Sequence, residues 1–183
     1  MATGRVLADR EIIDGTYEIR RQLGEGGMGQ VYEAHDHALN RRVAIKVAQP
    51  HAPVSIRYEA NALAAFHHPS VATIYAVGTH RGVDYMVMER IHGESLEERI
   101  AALAEKGSRF ELVEAASLLA RIADALAAVH ASGIAHRDVK PSNVMLAPHD
   151  RIVLMDFGIC VPEIGDVLES GIRGSIAYMA PEV

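Results

Sequence analysis

The 183-residue chain has a single cysteine, Cys160, so no internal disulfide can form, and a reducing compartment such as the cytoplasm suits it. It has no apolar run approaching the ~20 residues that span a bilayer. Its start, "MATGRVLADREIIDG", carries charges where a secretory leader needs an apolar stretch. It lacks the basic excess of a nucleic-acid-binding surface: 18 Lys and Arg stand against 24 Asp and Glu, a net charge of −6. Internal repeats and low-complexity tracts are absent. What is present is an apolar fraction of 49% and a charged fraction of 23%, ordinary values for one globular domain or two small lobes.

The first ninety residues read as strands with one helix. "TYEIRRQLG", "GQVYEAHD" and "RRVAIKVA" are short, rich in β-branched or aromatic residues, and separated by Gly or polar turns, with "ALNR" as a hairpin turn. Residues 55–66 turn helical, and "HHP" at 67–69 ends that pattern. "VATIYAVGT" and "VDYMVMER" read as two more strands around "HRG". The second half differs. "ESLEERIAALAEKG" predicts an amphipathic helix stopped at Gly107. "ELVEAASLLARIADALAAVHASG" predicts a longer one, with Ala115, Leu118, Leu119, Ile122, Leu126 and Val129 at i, i+3, i+4 spacing and Gly133 at its end. Two short apolar strands, "NVMLA" and "RIVLM", then flank "PHD".

Four stretches carry chemistry. In "LGEGGMGQVY", Gly24, Gly26 and Gly29 form G-x-G-x-x-G. A dinucleotide site would add an acidic residue ~20 positions on, and a Walker loop would add Gly-Lys-Ser/Thr. Positions 43–58 hold no Asp or Glu, and the Walker residues are missing. A β-hairpin whose backbone N–H groups approach phosphate oxygens fits better, beside the plainer reading of a Gly-rich surface turn. Lys46 ends the apolar run "VAIK", either as a snorkelling edge residue or as a cation aimed into a cleft. A cleft lysine needs a carboxylate, and Glu59 is the one acidic residue between Lys46 and Pro69. In "HRDVKPSN", Asp138 and Asn143 lie five apart on a loop after the long helix. The carboxylate can accept the proton of an attacking hydroxyl, and the amide oxygen can ligate Mg²⁺. Asp156 of "DFG" ends an apolar strand, as a Mg²⁺ ligand or as the cap of a turn before Gly158.

The glycine loop, "VAIK", "HRDVKPSN", "DFG" and "MAPE" occur in the order of the protein-kinase motif set. From about Tyr17 to its end the chain therefore resembles the eukaryotic-like Ser/Thr protein kinases, and "GEGGMGQVY" is similar to their bacterial branch. The resemblance implies an α+β, protein-kinase-like two-lobe fold. Residues 1–16 would be an N-terminal tail, mobile before Asp14. Residues 17–88 would be a β-rich N-lobe with one helix, 89–93 a hinge, and 94–183 a helical C-lobe only partly present. It also implies site roles. The stretch from Leu23 through Gly24, Glu25, Gly26, Gly27, Met28 and Gly29 to Val31 would cover the phosphates of ATP. Lys46, held by Glu59, would contact them. Val31, Ala44 and Met145 would sandwich adenine, with Met88 as gatekeeper and Glu89 and Ile91 offering backbone groups. Asp138 would be the catalytic base, Lys140 would steady the γ-phosphate, and Asn143 and Asp156 would bind Mg²⁺. Leu63, Ile74, His136 and Phe157 would stack into an internal spine. Arg137 would pair with a phosphorylated activation segment, for which Ser170 is the favoured acceptor. Ser175 would hydrogen-bond near Asp138 and Lys140. Cys160 reads as a small buried side chain.

Two features depart from the family's pattern. Lys46 and Glu59 are close in sequence, so the helix bearing Glu59 is expected to lack its first turn. The family also continues beyond "APE" with helices that cover the long helix at 111–130 and supply a partner for Glu182. Three readings follow. The first is a cytoplasmic Ser/Thr protein kinase using ATP and Mg²⁺, acting on protein substrates and on a second copy of itself, without a nucleic-acid partner. The second is a truncated, catalytically silent nucleotide-binding or scaffold protein. The third is a small-molecule phosphotransferase, a class that lacks the counterparts of Lys140 and "APE".

Overall fold

A computed structural model of the chain describes residues 5–26, 29–48, 56–64, 66–157 and 178. The chain divides into two compact units, Met1–Ala65 with Thr73–Arg90 and Phe66–Ala72 with Ile91–Val183.

The first unit is built on an antiparallel six-stranded sheet. Its strands are β1 (Ile12–Ile13), β2 (Tyr17–Gly26), β3 (Gly29–Asp36), β4 (Arg41–Ala48), β5 (Ile74–His80) and β6 (Val83–Glu89), in the order β1-β2-β3-β4-β6-β5. Side chains alternate across each strand, which puts Tyr32 and Ala34 of β3 and Val43, Ile45 and Val47 of β4 into one apolar core. Ile13, Ile19, Tyr85 and Val87 complete that core. Helix α1 (Ile56–Leu63) packs on β5 and β6. It buries Ile56, Glu59, Ala60 and Leu63, the i, i+3, i+4, i+7 stripe of an amphipathic helix.

Residues 5–13, expected as a mobile tail, are held to this unit. Ile12 and Ile13 pair with Glu18 and Tyr17, Ile13 is fully buried, and Leu7 enters the same core. Two isolated apolar residues in a charged stretch are a weak sequence signal, but each covers sheet that would otherwise meet water. The stretch "PHAPVS" at 50–55, which the short Lys46–Glu59 spacing predicts as a tight connection, lies outside the described residues.

The second unit holds α2 (Leu96–Glu105), α3 (Leu112–Ala131) and a small antiparallel sheet of β7 (Glu94–Ser95), β8 (Val144–Leu146) and β9 (Ile152–Leu154). Helix α2 starts at a capping box: Ser95 Oγ accepts the Glu98 N–H at 3.1 Å, and the Glu98 carboxylate accepts the Ser95 N–H. Helix α3 ends at Gly133, whose φ of 72° is the left-handed conformation that closes such helices. The buried face of α3 is Leu118, Ile122, Ala125 and Val129. Leu119, expected on the core-facing row, is 64% exposed, and Ala125 takes the inward place. An unbroken apolar run fits more than one helical stripe, and packing selects among them. Val71 forms a parallel bridge with Leu154, which draws 66–72 into this unit. Among the described residues no helix is long and apolar enough to cross a membrane.

Candidate active site

In the first unit, β4 places Lys46 opposite Val31 of β3 and Met86 of β6. Lys46 Nζ donates to both carboxylate oxygens of Glu59, at 2.8 and 3.1 Å, and both residues are buried. The tips of β2 and β3 carry the glycine motif. Gly24 faces Val31, Gly26 faces Gly29, and Leu23 falls at an irregularity in the register between Gln22 and Gly24. The glycines differ in kind. Gly29 has φ 147°, and a Cβ there would sit 2.1 Å from the Val47 carbonyl oxygen, so the fold itself requires glycine. Gly24 and Gly26 have no left-handed φ, and a Cβ on either would meet nothing within 4 Å. Among the described residues, neither strain nor packing calls for glycine at 24 and 26. The open space above their backbone is what a close-lying phosphate needs.

Ala44 and Met88 are cross-strand partners on β4 and β6, and both are buried. The Glu89 N–H donates to the Thr73 carbonyl at 2.8 Å. Leu23 and Val31 are half-buried, and Glu25 is exposed. Gly27 and Met28 lie outside the described residues.

In the second unit, a loop after α3 leads into a short 3₁₀ turn, Pro141–Asn143, and then β8. Asn143 Nδ2 donates to the Asp138 carbonyl at 2.8 Å and to Asp138 Oδ2 at 2.9 Å. Lys140 Nζ lies 2.8 Å from the same Oδ2. Lys140 is extended (φ −155°, ψ 162°), and residues two apart on an extended chain share a side. Lys140 and Asp138 thus form a direct ion pair. With its Nδ2 turned to Asp138, the Asn143 amide keeps its oxygen, the hard donor Mg²⁺ takes, for other use. The Asn143 carbonyl accepts the Met155 N–H at 2.8 Å, which ties the loop to the residue before Asp156.

Arg137 and Asp156 both adopt left-handed φ, 57° and 50°. Non-glycine residues in that region carry local strain, which gathers at functional sites. Arg137 is exposed and Asp138 buried. His136 is also buried, its ring 4.4 Å from that of Phe157. Burial holds the imidazole below its ordinary pKa, against the pull of backbone hydrogen bonding and the nearby Asp138 and Asp156 charges. Its Nε2 has no hydrogen-bond partner among the described residues. Ile91 and Met145 belong to one apolar cluster with Ala72 and Val153. Of the four residues expected to stack into a spine, Leu63, His136 and Phe157 are each buried and Ile74 is half-buried. Cys160, Ser170 and Ser175 lie outside the described residues.

A buried Lys–Glu pair joining strand to helix, a glycine hairpin, and an Asp–Asn–Lys loop followed by a strained Asp are the parts of a phosphoryl-transfer domain. The chain matches the protein kinase domain over residues 17–183 and belongs to that family. It is 36% identical to the probable serine/threonine-protein kinase pknA2 of Bifidobacterium longum, over 94% of this chain and 24% of that protein. It is 34% identical to the serine/threonine-protein kinase PknA of Mycobacterium tuberculosis, over 93% of this chain and 42% of that protein. Among solved structures, the PknI kinase domain of Mycobacterium tuberculosis superposes with a TM-score of 0.70 at 27% identity, covering 85% of this chain and 62% of that one. The chain thus spans less than half the length of these two curated relatives.

Proposed function

We propose that the protein is a Ser/Thr protein kinase that transfers the γ-phosphoryl group of ATP to Ser or Thr hydroxyls of protein substrates. The observation that carries this reading is the Asp138 carboxylate held by Asn143 at 2.9 Å and Lys140 at 2.8 Å. In our assignment, Asp138 takes the hydroxyl proton as the substrate oxygen bonds the γ-phosphorus, the bond to the β–γ bridging oxygen breaks, and ADP leaves. Lys140 steadies the γ-phosphate, and Lys46, aimed by Glu59, holds the other phosphates under Gly24 and Gly26. Ala44, Val31 and Met145 pack against adenine beside Met88, Glu89 and Ile91. Asn143 and Asp156 are the residues to hold Mg²⁺, which neutralises phosphate charge when bound.

We assign 17–88 as the N-lobe, 89–93 as the hinge and 94–183 to the C-lobe. Arg137 fits a receptor for a phosphorylated residue, with Ser170 as acceptor from a second copy of the chain and Ser175 as a substrate-side hydrogen-bond partner. The net charge of −6 argues against nucleic acid as partner. We assign the domain to the cytoplasm, where ATP is supplied and a lone cysteine such as Cys160 stays reduced.

The test is a transfer assay on the full-length protein with labelled ATP and Mg²⁺. The expected result is acid-stable phosphoserine or phosphothreonine on protein, with Ser170 modified by mass spectrometry. Label passing only to sugars or amino-alcohol antibiotics would overturn the reading. ATP binding without any transfer would favour a silent scaffold.

A further inference from the structure

The glycine hairpin is held on the face opposite Val31 by the chain's own N-terminal stretch. Positions 30, 32 and 34 of β3 alternate away from Val31, and Tyr32 and Ala34 share the core with Leu7. Gln30 is on that side too, 1% exposed. A buried amide requires hydrogen bonds to offset its lost hydration. Gln30 Oε1 accepts the Val6 N–H at 2.9 Å and also the Tyr32 hydroxyl. The Tyr32 oxygen in turn accepts the Leu7 N–H at 3.2 Å. On the neighbouring strand, Arg5 Nε donates to Gln22 Oε1 at 3.3 Å, and Gln22 Nε2 donates to the Gly24 carbonyl at 3.4 Å.

Residues 5–7 therefore reach both strands of the hairpin. They act beside Gly29 on one strand and next to Gly24 on the other. Gly24, Glu25 and Gly26 pair with Val31, Gln30 and Gly29 across the hairpin and are exposed, and glycine adds backbone freedom that binding must remove.

We propose that Gln30 is a positioning residue for nucleotide binding, which couples the N-terminal strap at Val6 and Leu7 to the glycine hairpin and holds the hairpin ready for phosphate. This rests on the ATP reading above. Gln30→Leu keeps the bulk and removes the acceptor. Deleting residues 1–6 removes Arg5 and Val6 but keeps Leu7 in the core.

Both variants are made in the full-length protein, and ATP Kd, KM for ATP, kcat and Tm are measured. The expected result is a Kd and KM for ATP raised by about threefold or more in each, the scale of a lost hydrogen bond, with kcat within about twofold. A merely structural role would lower Tm and leave KM where it was, and that result overturns the proposal. So does an equal loss of kcat at constant KM. If Gln30→Leu does not fold, the deletion variant decides by the same outcomes. Wild-type protein that binds ATP without transferring it fails the kinase reading, while the ATP Kd of the variants still decides the role of Gln30.

Discussion

Lys46 and Glu59 form a two-oxygen ion pair in the interior of the first unit, at 2.8 and 3.1 Å. The strand supplies the cation and the helix the anion, so the pair fixes α1 to β4 as well as aiming the ammonium. Removing one partner breaks this pair in the interior, where an altered charge balance is costly. Glu59→Ala is expected to destabilise the protein by about 3–5 kcal/mol in urea unfolding, and Lys46→Met with Glu59→Leu to recover most of that. The double variant remains deficient in ATP binding, because the ammonium is gone.

The glycines of the hairpin separate fold from function. Gly29→Ala places a Cβ 2.1 Å from the Val47 carbonyl at a left-handed φ, so it is expected to lower Tm sharply. Gly24→Ala and Gly26→Ala meet open space. Each is expected to leave Tm unchanged or slightly raised, since alanine restricts the unfolded chain. Both should weaken ATP binding measured by calorimetry. Equal Tm losses at all three positions would contradict the distinction.

Glu33 sets an acid limit on the first unit. Burial pushes its carboxyl up, but the Arg90 hydrogen bond and the Arg21 and Arg90 charges outweigh burial and hold it below the ordinary 4.5. Arg90 Nε lies 3.1 Å away and Arg21 Nη2 3.3 Å. A lowered folded-state value means the unfolded chain binds the proton more readily. The stabilisation is thus full above the ordinary value and is lost as pH falls through the folded one. Glu33→Gln should reduce Tm at neutral pH, with the gap to wild type closing as pH drops below about 4.5.

Asn143 holds Asp138 from two sides. Asn143→Leu keeps the volume and removes both hydrogen bonds to Asp138 together with the amide oxygen. The expected outcome is a kcat lower by about 10²-fold, the scale of a misplaced general base. The Mg²⁺ concentration needed for half-maximal rate should rise as well. A kcat near wild type would contradict the assignment.

Much of the fold was legible because its periods are strong. The strands of "GQVYEAHD" and "RRVAIKVA" and the stop at Gly133 stand where alternation and capping put them. β7 escaped detection because a two-residue strand has no period, and it exists through its pairing with β8. Leu119 reads as apolar and is 64% exposed, on the helix that the family covers with elements beyond "APE". At the site, motif order named Lys46, Glu59, Asp138, Asn143 and Asp156. It set Lys140 near Asp138 but could not show their direct ion pair. Nor could it show Gln30 as a buried amide, since a glutamine in a polar, glycine-rich stretch gives no sign of burial.

The decisive measurement compares γ-phosphoryl transfer and ATP affinity in the full-length protein and its Asp138→Asn variant. With Asp138 as the general base, transfer to protein should fall by about 10²–10⁴-fold while the Kd for ATP stays within about twofold, since Asp138 acts on the hydroxyl rather than on the nucleotide. Transfer that persists in Asp138→Asn would contradict that role.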